Sequence, residues 1–191
     1  MSRLCRAHEV MSLTIVTLDT ATAVGEVRDV LFDPSRSRVI GFTVRGRGLL
    51  SSPLIGLLPV ETVGAIGHDA VMITSATGVV SQREGMDAAV AQQVDVIGRE
   101  VVSDTGARLG EIVDVILEVD RGESEVVGYE IEAEAGRFIV PLGQSLPLSG
   151  DALMVPADAE HYTANGLHGF RDALERARGR GGTQRGEQVL A

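Results

Sequence analysis

The sequence predicts a mainly β chain: two small antiparallel β-barrels joined by a short helical linker and followed by a C-terminal helix. Three observations carry this. An internal repeat spans most of the chain. Each copy reads as about five short strands separated by turns. Hydrophobic residues make up 44% of the chain and charged residues 23%, a balance that can bury a core.

The repeat is read by setting Gly25–Val44, GEVRDVLFDPSRSRVIGFTV, against Gly110–Ile131, GEIVDVILEVDRGESEVVGYEI. One constant spacing carries Asp19-Thr20 onto Asp104-Thr105, Gly25 onto Gly110, Glu26 onto Glu111 and Asp29 onto Asp114. The second copy is longer in the following turn, after which Gly41 falls on Gly128. The first copy is longer just before Pro59, which falls on Pro141. Asp69-Ala70 and Met72 then fall on Asp151-Ala152 and Met154.

Taken in order, residues 1–11 read as a flexible leader, with Met11 a second candidate start. The first copy, 12–78, opens with the β-branched run Leu13–Leu18. Val24, Val27, Val30 and Phe32 run into the turn Asp33-Pro34-Ser35, where Pro fixes φ, and Val39–Val44 returns as the second arm of a hairpin. Leu57–Val60 and Ala70–Thr74 complete the set. Residues 79–94 are a polar, Ala-rich linker with a short helix near Met86–Gln92. The second copy, 95–156, repeats the pattern with Glu100–Ser103, Glu111–Val119, Val126–Glu132, Phe138–Val140 and Leu153–Val155. In 157–178, Ala157–Tyr162 and Leu167–Arg178 read as helical. Leu167, Phe170 and Leu174 form one apolar stripe that should pack on the second copy. Residues 179–191 carry too little apolar surface to order. Gly41 and Gly128 fall inside strands, where glycine marks a bulge or tight bend of the kind a small barrel needs.

Composition removes several function classes. The net charge is −10 and the isoelectric point about 4.8, which argues against a chain held to a nucleic-acid backbone. All 17 basic residues are Arg. No run approaches the ~20 apolar residues of a membrane span, and the start lacks the apolar stretch of a signal peptide. The single cysteine, Cys5, allows no internal disulfide and fits a reducing cytoplasm.

Reactive constellations are missing from the pattern. HExxH, CxxC and GxSxG do not occur, and a P-loop is excluded because there is no Lys. Gly46-Arg47-Gly48 lacks the third glycine of a dinucleotide loop, and Pro53 follows where a helix should start. Glu26 and Asp29, like Glu111 and Asp114, are three apart, so on a regular strand they point to opposite faces and cannot converge. Asn165-Gly166 should break any helix joining His161 to His168. His8 and His68 have no Cys or Ser partner at a telling spacing. The expectation is a non-enzyme with no cofactor and no metal.

The copies differ most at Arg45–Leu58, RGRGLLSSPLIGLL. Surface loops are seldom apolar, so this segment implies burial or an interface. Leu49, Leu50, Leu54, Ile55 and Leu57 are the candidate contacts for a protein partner or a second copy. Arg171, Arg176, Arg178, Arg180 and Arg185 make the C-terminal segment locally basic. They leave an RNA- or ribosome-associated factor as the alternative, although four Phe, two Tyr and no Trp offer little for base stacking.

The order Asp19, Gly25-Glu26, Asp29-Val30, Gly41, Pro59-Val60 and Gly67-His68-Asp69-Ala70 resembles the PRC-barrel family. So does Ile97-Gly98, Asp104, Gly110-Glu111, Asp114-Val115, Gly128, Pro141-Leu142 and Gly150-Asp151-Ala152. The first copy departs at its opening, with Ser12-Leu13 in place of Ile97-Gly98. That family includes the cytoplasmic domain of the photosynthetic reaction-centre H subunit and the C-terminal domain of a ribosome maturation factor. The resemblance covers about residues 12–75 and 95–156. It implies two PRC-type barrels acting as docking modules for protein partners, and it implies no reaction. Neither specific role transfers: the first would need a transmembrane helix and the second a different N-terminal domain.

Overall fold

The computed structural model describes residues 2–33, 37–46, 56–80, 96–120, 123–142, 152–156 and 166–181. The expected linker helix near Met86–Gln92, the expected helix Ala157–Tyr162, the turn residues 34–36 and the tail from 182 lie outside them. The chain forms two compact units. Unit 1 comprises Met1–Asp95 together with Leu117–Val126, and unit 2 comprises Val96–Ile116 and Val127–Ala191.

The strands of unit 1 are β1 (Arg3–Arg6), β2 (Thr14–Thr17), β3 (Ala23–Asp33), β4 (Arg38–Arg45), β5 (Gly56–Pro59), β6 (Val63–Ile66) and β7 (Ala70–Ile73), with a one-turn helix α1 (Ala7–Val10) after β1. Six of them lie in the order β6-β7-β2-β3-β4-β5. Unit 2 contains β8 (Glu100–Ser103), most of β9 (Arg108–Asp120) and of β10 (Glu123–Ala133), β11 (Gly136–Pro141), β12 (Ala152–Val155) and the helix α2 (Gly166–Gly181). Its order β12-β8-β9-β10-β11 repeats β7-β2-β3-β4-β5 strand for strand.

Two features differ from a closed antiparallel barrel. Among the described residues neither strand path closes on itself. In addition, β7 joins β2, and β12 joins β8, in parallel. The parallel pair follows from connectivity: after β5 the chain turns through Val60–Thr62 and β6, and β7 then comes back beside β2 running in the same direction.

The duplication extends to irregularities that periodicity alone would not produce. Both copies shift register at the same point, between Ile15 and Val16 and between Val101 and Val102. Both then turn on a buried hydroxyl. Thr17 Oγ1 accepts from the Thr22 N–H at 3.2 Å, and Ser103 Oγ accepts from the Ala107 N–H at 2.9 Å. Just before β2 and β8, Ser12 and Gly98 both take positive φ, 70° and 80°. Their N–H groups donate to Val27 O at 2.8 Å and Ile112 O at 2.7 Å. The structure thus sets Ser12, and not Leu13 as the sequence pairing has it, against Gly98.

The residues expected as a flexible leader are ordered. Residues 3–10 form β1 and α1, and Leu4, Cys5 and Val10 are buried. Ser2 Oγ donates to Glu118 Oε1 at 2.7 Å, so this segment packs with Leu117–Val126, the far end of the β9–β10 hairpin. In the same unit, Glu125 pairs with Arg38 and the Val126 N–H donates to Ser37 O at 2.8 Å. The units thus do not follow the contiguous boundaries expected from the repeat.

The core of unit 1 is built on Ile15, Val27, Phe42, Leu57, Leu58 and Ile73. That of unit 2 is built on Ile112, Ile116, Ile131, Ile139, Leu153 and Phe170. All but Phe170 come from strands, and burial of that apolar area is the main driving force. The helix α2 adds Phe170 and Leu174 to the second core and lies against β11.

Candidate functional site

The in-strand glycines face the two prolines. Gly41 on β4 pairs with Pro59 on β5, and Gly128 on β10 pairs with Pro141 on β11. The strands approach so closely that a side chain has no room. A Cβ on Gly41 would fall on the Leu58 carbonyl oxygen. One on Gly128 would lie 2.6 Å from Val140 O and 2.7 Å from the Phe170 ring. Gly25 and Gly110 are crowded in the same manner by Arg45 O and Glu132 O. All four positions lie where backbone or side chains come too close for a Cβ, which accounts for their recurrence.

The recurrent carboxylates depart from the parity expected of a regular strand. A bulge between Val27 and Asp29 inserts Arg28, so Glu26 pairs with Arg45 and Asp29 with Thr43. Arg45 and Thr43 are two apart on β4, and Glu26 and Asp29 therefore share a face. Sharing it does not leave them free. Arg45 Nη2 lies 3.1 Å from Glu26 Oε2. Thr43 Oγ1 donates to Asp29 Oδ2 at 3.2 Å and accepts from the Asp29 N–H at 3.0 Å. In the second copy Asp114 is buried, and its Oδ1 accepts from the Val115 N–H at 2.7 Å.

Unit 2 carries an open groove of about 660 Å³ lined by Arg108, Leu109, Gly110, Glu111, Val113, Glu132, Ala133, Glu134 and Ala135. Arg108 bridges Glu100 at 2.7 Å and Glu111 at 2.6 Å, and Arg137 lies 3.4 Å from Glu132. The groove is an acidic, solvent-exposed surface, and its carboxylates are partly neutralised by exposed ion pairs of small energetic weight. Among the described residues no group of three or more His, Cys, Asp or Glu is arranged to hold a metal ion. Cys5 is fully buried. His68 stands at the surface, 2.9 Å from Asp69. Within the described residues no helix is long and apolar enough to cross a membrane.

Of the candidate contact residues, Leu49, Leu50, Leu54 and Ile55 lie outside the described residues, as does Asp151. Leu57 is placed in β5 opposite Thr43 and is 1% exposed, so it serves the core rather than a surface. Of the two readings of this apolar segment, burial or an interface, Leu57 takes burial. The parity change at Arg28 had no signal in the sequence, because any strand residue can occupy a bulge.

Comparison with curated proteins gives no match to this chain. The family model for the PRC-barrel domain matches residues 4–80 and again 91–162. These two segments take in the strands of both units, all of β1 but Arg3 among them, and together they cover most of the sequence. The chain belongs to the PRC-barrel family and carries the domain in two copies.

Proposed function

We propose that this protein is a non-enzymatic adaptor or scaffold, acting in the cytoplasm, whose tandem PRC-barrels bind a protein partner. One observation supports this above the others: the positions the copies share are spent on backbone shape. Gly41 and Gly128 meet Pro59 and Pro141, and the carboxylates of Asp29 and Asp114 are engaged by Thr43 and by a backbone N–H. Recognition then falls to what the copies do not share, above all the apolar residues Leu49, Leu50, Leu54 and Ile55. An apolar segment of this kind suits the desolvated centre of an interface.

The test is capture of a partner by the tagged full-length chain, compared with Leu50→Asp and Ile55→Asp. Both variants should lose the partner while keeping the circular dichroism of the parent. Retained binding by both would overturn the assignment of the segment. The alternative, an RNA- or ribosome-associated factor using the Arg-rich C-terminal segment, predicts affinity that falls steeply with salt and on deletion of residues 171–191.

A further inference from the structure

We draw no further inference here: the strongest candidate, the groove on unit 2 lined by Arg108, Glu111, Glu132 and Glu134, is a cluster of exposed carboxylates already paired in part with Arg108 and Arg137, and nothing in the structure points to a ligand for it.

Discussion

Replacing Gly128 by Ala adds one methyl group where there is no space for it. The new Cβ would lie 2.6 Å from Val140 O and 2.7 Å from Phe170 Cζ. Carbon contacts are favourable at roughly 3.5–4.0 Å, so strand and ring must separate by roughly 1 Å. Phe170 is fully buried on α2 and cannot yield without disturbing the helix packing. Overpacking of this kind costs about 1–3 kcal/mol. If the ring is forced out, part of the ~1.5–3 kcal/mol from burying it is lost as well. The expected destabilisation is therefore about 2–4 kcal/mol. Urea unfolding followed by tyrosine fluorescence measures it, since Tyr129 is buried next to Gly128. Phe170→Leu in the same background should recover part of the loss, giving a coupling of at least ~0.5 kcal/mol in a double-mutant cycle. A Gly128→Ala protein within ~0.5 kcal/mol of the parent would refute the close-approach argument, as would strict additivity with Phe170→Leu.

Other consequences follow from the same geometry. Ser12 holds φ 70° where the second copy has Gly98. A left-handed L-residue costs about 1–2 kcal/mol and glycine about 0.5–1 kcal/mol in chain entropy, so Ser12→Gly should stabilise unit 1 by about 0.5–1 kcal/mol. A lower melting temperature would contradict this. Deleting residues 2–10 removes buried Leu4, Cys5 and Val10, and should cost at least about 3 kcal/mol in urea unfolding. An unchanged midpoint would show that β1 adds nothing. Burial raises the Tyr129 pKa above its ordinary value of 10.0. The unfolded chain ionises first, so this contribution is intact below pH 10.0 and is lost as the pH rises from there through the raised folded value. Tyr129→Phe should flatten that alkaline loss, which stability measured between pH 9 and pH 11.5 would reveal; an unaltered slope would assign the loss to another group.

Much of the fold is legible in the residues because the duplicated positions constrain the chain locally. Glycine inside a strand and proline at the strand that faces it occur at matching places in both copies. The strands β3, β4, β9 and β10 likewise announce themselves by β-branched, alternating residues. What escapes is non-local. β1 is four residues long, and its neighbour Ser2 bonds within unit 1 to Glu118, far away in sequence, so nothing around Arg3–Arg6 marks it. β6 is four residues with Gly64 inside it, too short and too weak in β-propensity to stand out. The shared face of Glu26 and Asp29 depends on one extra residue, Arg28, which reverses the parity of everything after it. The parallel pairing of β7 with β2 depends on the path taken through β6, which composition does not record. The candidate site is the least legible part, because apolarity alone does not separate a buried Leu57 from a contact residue.

The division of labour between shared and unshared residues is tested most directly by affinity capture with three full-length variants compared at equal folded concentration. Asp29→Asn and Asp114→Asn should retain the partner at parental affinity, since those side chains serve the sheet, whereas Leu50→Asp should abolish capture. Loss of the partner in the two Asn variants with capture intact in Leu50→Asp would contradict the account.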